Sequence, residues 1–303
     1  MSNVDIAVSV PTLLGECPAW DERQQALYWV DIEGKKIHRH DPATGGNETR
    51  ATDGRPGSFV FTSDPDVLLV AIENELRWFH WPSGATKLFI AIEPAGNENR
   101  LNDGKTDRAG RYIVGSMYEN PNAGVATGTL YSVEGDGAVR SIRSDIGVAN
   151  GLAFDPLLDR AYFADTHTRR IERYGYDTAT GQWNDESCFF DYADHPGLPD
   201  GACIDSEGHY WSASVYGWGL IRLSPEGKIV DRIEVPVEKP SMPALGGADY
   251  RTMYITTIGM GGGRPSAEGR DGAVPGSLLS VRTEVPGLAE VPFAGTPPAF
   301  APS

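Results

Sequence analysis

CPAWDERQQALYWVDIEGKKIHRHDPATG, residues 17–45, reads as a short strand, a turn, a buried aromatic strand, a second turn, an alternating strand and a closing PATG turn. The same layout returns as GLAFDPLLDRAYFADTHTRRIERYGYDTATG at 151–181 and as GACIDSEGHYWSASVYGWGLIRLSPEGK at 201–228. The apolar runs are short, β-branched or aromatic, and bounded by Gly, Pro, Asn and Asp, so the repeating unit is built of strands.

The aspartate before the first turn of each unit serves as a phase marker: Asp21, Asp64, Asp107, Asp155, Asp205 and Asp249, at intervals of 43, 43, 48, 50 and 44 residues. Units of roughly 40–50 residues with about four short strands each have the period of propeller blades. Helical solenoids share the period, but their pattern is missing. The expectation is an all-β, six-bladed β-propeller forming a single domain over residues 1–303, since all-β architectures run past about 250 residues as one domain. A ring of blades must close or expose strand edges. Val4–Val10 can supply a strand beside GSLLSVRTEV, 276–285, while the proline-rich tail from Pro286 either hugs the surface or hangs loose.

Five residues before the marker, four units carry a polar side chain: Glu16, Asn102, Asn150 and Asp200. The other two carry Phe59 and Ala244. Strands related by rotation point equivalent positions at one axis, where two carboxylates and two amides make an oxygen site for a hard cation. Asn150-Gly151 and Asp200-Gly201 are also ordinary turn dipeptides, but that reading leaves Glu16, followed by Cys-Pro, unexplained. Oxygen ligands suit one divalent cation: Ca2+, Mg2+ or Mn2+, and less selectively Zn2+ or Fe2+. Three protein ligands leave positions open to water and substrate, the mark of a catalytic ion. Arg100 lies two residues before Asn102, on the same side of an extended segment, and offers a fork of donors for hydroxyls or an oxyanion; its plainer use is pairing with Glu98. Asp103 points elsewhere and is expected to be structural. His38, His40 and His80 are expected to face solvent, while His167 and His195 lie closer to the site and can orient a ligand.

A formal charge of −16 disfavours nucleic acid and anionic membranes as partners. Cys17, Cys188 and Cys203 show no paired spacing, so neither a disulfide framework nor a CxxC zinc site is expected. With no basic, apolar leader and no bilayer-length apolar run, the expectation is a cytoplasmic protein. GxSxG, HExxH, P-loop and GxGxxG motifs are missing, which removes serine hydrolase, zincin and nucleotide readings in their usual forms.

LGECPAW, NRLNDGKTDRAGRYIVGSM, VANGLAF and LPDGACIDSEGHYWSA together resemble the SMP-30/gluconolactonase/regucalcin family, over about residues 10–285. The resemblance implies a six-bladed propeller, metal ligands at Glu16, Asn150 and Asp200, substrate contacts at Arg100 and Asn102, and general acid/base work for Asp200. A further substrate-contacting position, commonly acidic in the family, falls on Asn120, with Glu119 beside it, so substrate preference does not transfer directly. The implied activity is metal-dependent opening of a sugar lactone to its aldonic acid. A phosphotriesterase-type hydrolase and a non-enzymatic Ca2+-binding regulatory propeller are the alternatives. Two glycine-containing stretches, 118–128 and 259–276, are long enough to be lids or plain connections. The sequence leaves the oligomeric state open.

Overall fold

The structure, a computed structural model, describes residues 4–94, 96–259 and 268–301. Among them are six four-stranded antiparallel sheets. Five are contiguous meanders. Blade 1, for example, runs through Gly15–Asp21, Ala26–Asp31, Lys36–Asp41 and Gly46–Ala51, from the axis outward. Blade 6 is composite: Pro240–Gly246, Thr252–Thr257 and Leu278–Arg282 receive Asp5–Val8 as their outermost strand. The expected N-terminal clasp is therefore present. Thr12 reinforces it, with its N–H and its hydroxyl both donating to the Gly276 carbonyl.

Innermost strands touch their neighbours in a closed cycle: Gly15–Asp21, Pro56–Phe61, Asn99–Thr106, Ala149–Asp155, Leu198–Ile204, Pro240–Gly246, and back to the first. Each blade buries both faces, and one apolar cluster fills each of the six gaps between blades. In the gap between blades 1 and 2, Tyr28 meets Phe59, Phe61 and Trp81 edge-on, with centroids 5.2–6.3 Å apart. The inner strands thus read as nearly unbroken buried runs, while outermost GNETRA, 46–51, lies mostly in solvent.

The marker aspartates hold the turn between the first two strands. Oδ1 of Asp21, Asp107, Asp155 and Asp205 accepts from the N–H two residues on. All four stand five residues before the second strand, but Asp64 and Asp249 stand only three before Val67 and Thr252. They make the same turn later, accepting from Asp66 and Arg251. The equivalent positions are Thr62, whose hydroxyl takes the N–H of Asp64, and Gly246, paired with Thr252 as Asp21 is with Ala26. Pairing also sets Gly15, Pro56 and Pro240 opposite Asp31, Ile72 and Thr257, so Gly57 and Ser241, rather than Phe59 and Ala244, stand level with Glu16. Phe59 belongs to the packing between blades 1 and 2.

The tail hugs the face opposite the blade-connecting loops that carry Glu16. Ser206 N–H donates to the Pro286 carbonyl, Phe293 N–H to Phe61 and Ala294 N–H to Gly110. Glu290 reaches inward to Lys105 at 3.1 Å. Burial opposes the Lys105 charge most strongly, but Glu290 and the other acidic groups around it together outweigh burial, and the ammonium pKa is raised. No helix among the described residues is long and apolar enough to cross a membrane.

Two histidines depart from expectation. His38 and His40 are buried, at 5% and 6% exposure, because the outer strand of blade 1 covers them; their Nδ1 atoms meet Thr49 Oγ1 and Asn47 Oδ1. His38 also stacks on Trp29, with centroids 4.9 Å apart. Burial lowers its pKa from 6.5 to about 4. A depressed imidazole pKa means the unfolded chain binds the extra proton first, so stability is full above pH 6.5 and drains as pH falls toward 4. The loss amounts to roughly 3 kcal/mol. Urea unfolding of wild type and His38→Phe at pH 7 and pH 4.5 should show the acid-side loss shrinking by about half or more in the variant; parallel losses would refute the assignment.

Candidate functional site

The inner strands enter the axis irregularly, and this is what aims the side chains. Register with the second strand shifts between Glu16 and Ala19, Leu101 and Gly104, Asn150 and Ala153, and Pro199 and Ala202. A bulge leaves an extra residue unpaired and turns the strand there. Backbone at Cys17 (φ 49°) and Gly151 (φ 66°) occupies the left-handed region within two of these bulges.

Upstream of the bulge, a second aspartate holds the entering chain. Asp165, at the end of the second strand of blade 4, accepts from Gly147 N–H through Oδ2 and from Val148 and His167 N–H through Oδ1, all at 3.0 Å. Asp31 does the same in blade 1 for Leu13, Leu14 and Gly34. These two carboxylates set the height at which Asn150 and Glu16 reach the axis.

Glu16, Arg100, Asn102, Asn150 and Asp200 line one cavity of about 30 Å3, walled on the remaining sides by Leu14, Ile32, Met117, Pro121, Val148 and Ile258. That space holds an ion and a water or two; a sugar ring would sit above it. Arg100, Asn102, Asn150 and Asp200 are buried, and Glu16 is half-buried. Arg100 donates to Asn102 Oδ1 at 2.7 Å; Asn102 Nδ2 donates to the Ala149 carbonyl at 2.9 Å and to Asn150 Oδ1 at 3.3 Å. Asn150 Nδ2 donates to Thr166 Oγ1 at 2.8 Å. Among the described residues no three His, Cys, Asp or Glu side chains converge, so the site offers a mixed carboxylate and amide oxygen set rather than a histidine or thiolate one.

Five of the six residues singled out from sequence meet here; Asn120 does not line the cavity. It is exposed, and its Oδ1 accepts from Asn122 N–H to cap the short 3-10 helix Pro121–Ala123. Its neighbour Pro121 supplies the wall, held by His167 Nε2 at 2.8 Å from the Pro121 carbonyl. The 118–128 stretch thus roofs one side of the site. The 259–276 stretch lies partly outside the described residues. His195 bonds the Pro196 carbonyl and Arg232, away from the cavity. Asp103 is structural as expected, its Oδ2 accepting from Leu152 N–H; burial raises its pKa. Thr166 and the apolar wall went unnoticed in the sequence, where only the neighbouring Asp165 gives a hint.

The model of the SMP-30/Gluconolactonase/LRE-like region matches residues 14–259, a span that contains all five cavity residues. The chain belongs to this family. Among its relatives, a 6-deoxy-6-sulfogluconolactonase of Pseudomonas putida is 36% identical over 95% of this chain and 97% of its own length. A pentonolactonase of Haloferax volcanii is 34% identical over 91% and 93%. In the solved structure of a calcium-binding protein, regucalcin, from Agrobacterium tumefaciens, the same fold superposes with a TM-score of 0.88 at 26% identity, covering 96% of this chain and 97% of that one. The six-bladed propeller is thus shared with a protein of solved structure.

Asp165→Asn tests the brace beneath Asn150. One amide oxygen cannot serve donors on both sides, so a backbone N–H is left facing an NH2 group. The expected cost is about 1–3 kcal/mol by urea unfolding; a loss under about 0.5 kcal/mol would show that the brace is dispensable.

Proposed function

We propose that this protein is a divalent-cation-dependent sugar lactonase. The observation that carries the reading is the meeting of oxygen donors from four blades with a buried arginine in one small cavity, in a chain whose relatives include lactonases. The residues present fit a hard cation: Glu16 and Asp200 bring carboxylate oxygens, and Asn150 presents Oδ1 because its Nδ2 is engaged by Thr166. When bound, a cation such as Ca2+, Mg2+, Mn2+, Zn2+ or Fe2+ supplies Lewis-acid polarisation of the ester carbonyl.

The chain's own groups do the rest. Asp200 accepts a proton from water as the water oxygen attacks the acyl carbon. It returns that proton to the ring oxygen when the acyl C–O bond breaks, leaving a hydroxyl and a carboxylic acid. Arg100 directs its guanidinium at the negative charge growing on the carbonyl oxygen, and Asn102 holds that guanidinium through Oδ1. Leu14, Ile32 and Ile258 offer an apolar surface for the C–H face of a sugar ring and keep bulk water from the opposite side. Asn120, at the rim, acts on substrate through the placing of Pro121. The substrate is a small sugar lactone.

The test uses protein stripped with chelator and reloaded with single cations, assayed by acid release from glucono-, xylono- and arabinonolactone and from an organophosphate triester. Cation-dependent opening of lactones is expected. Triester turnover without lactone turnover, or tight Ca2+ binding with no turnover, would overturn the reading. Asp200→Asn at saturating cation should lower kcat by about 10²-fold or more; a wild-type kcat would remove Asp200 from proton transfer.

A further inference from the structure

We propose that Thr166 is a positioning residue for the cation donor set, fixing which end of the Asn150 amide faces the cavity and tying the Asn150 strand to the Asp200 strand. The inference rests on the lactonase reading above for its cation but stands on hydrogen-bond polarity for its geometry.

The polarity is set from both ends. The Pro199 carbonyl can only accept, and Thr166 Oγ1 lies 2.9 Å from it, so the single hydroxyl hydrogen of Thr166 is spent there. Thr166 then meets Asn150 as an acceptor, at 2.8 Å, and Asn150 must present its NH2. Its Oδ1 is left on the opposite side, toward Asn102 Nδ2 at 3.3 Å and the cavity. At the other end the Arg100 guanidinium can only donate, which forces Asn102 to offer Oδ1 to it and Nδ2 to Asn150. An amide placed between an acceptor-only and a donor-only terminus has one orientation. Pro199 immediately precedes Asp200, so the Thr166 hydroxyl also joins blade 4 to the segment carrying the second carboxylate.

Thr166 is buried and its backbone is fixed, with its N–H donating to the Val148 carbonyl. The same backbone bond holds Ile32 to Leu14 in blade 1 and Ile258 to Lys239 in blade 6. The fold therefore accepts a wholly apolar β-branched residue at this position. A hydroxyl stands here in blade 4, beside the amide that needs orienting, and the isosteric Thr166→Val can be expected to fold.

Calorimetric titration of the cation-free protein with Mn2+ and Ca2+ is the decisive measurement, alongside hydrogen exchange of the Asn150 side-chain amide by NMR, assigned with Asn150→Ala. Thr166→Val should bind cation about 10- to 100-fold more weakly than wild type and exchange its Asn150 amide hydrogens faster, with an unchanged far-ultraviolet spectrum. Thr166→Ser, which keeps the hydroxyl, should recover both to within about threefold. Thr166→Val binding within about threefold of wild type with unaltered amide exchange would overturn the proposal, as would a serine variant as weak as the valine one. Wild-type protein that binds cation but opens no lactone would sink the lactonase reading and leave the Thr166 result standing. Wild-type protein that binds no divalent cation would sink both.

Discussion

The closure of the ring by Asp5–Val8 against Leu278–Arg282 is the constraint on which the rest depends. No blade can bury both faces alone; each of the six apolar clusters is shared between two neighbours. An open gap would expose the stacked rings of Trp20 and Tyr254, between blades 1 and 6, together with an unpaired strand edge. The closing strand leads, through the Thr12 clasp, directly into the strand that carries Glu16. The contact that completes the scaffold therefore also sets the first carboxylate at the axis.

Inside the ring, the polar cluster and the apolar packing are separated along the axis. At the mouth, bulges interrupt four inner strands and turn polar side chains inward. At the far end the tail covers the channel, where Glu290 pairs with half-buried Lys105 between the thiols of Cys17 and Cys203. Burial pushes both thiols up, Cys203 to about 12, so they act as small apolar packing groups near neutral pH.

Much of this was legible in the sequence, because a turn leaves a local signature. An aspartate that accepts from the N–H two residues on closes the inner strand in four blades, and its spacing located Glu16, Asn102, Asn150 and Asp200 relative to one another. The same signature misled at Asp64 and Asp249, which make the turn later, while Thr62 and Gly246 hold the equivalent place. What the sequence could not show depends on partners far along the chain. His38 and His40 alternate as solvent-facing residues do, yet the outer strand buries them. Asn120, a substrate contact by the resemblance, is exposed, and its Oδ1 accepts from Asn122 N–H. The Lys105–Glu290 pair joins residues 185 positions apart.

The mixture of carboxylates and amides has an electrostatic reason. Four carboxylates in a cavity of about 30 Å3 would repel one another and hold protons near neutral pH, surrendering the oxygen set that a cation requires. Amides supply oxygens without that charge, and Arg100 offsets part of what Glu16 and Asp200 bring. The cost of an amide is ambiguity, since its nitrogen end would repel the proposed cation that its oxygen end would attract. Arg100, which can only donate, and the Pro199 carbonyl, which can only accept, remove that ambiguity for both Asn102 and Asn150. The axis thus combines modest net charge with defined donor orientation, and the two one-sided groups that secure it come from blades that only a closed ring brings together.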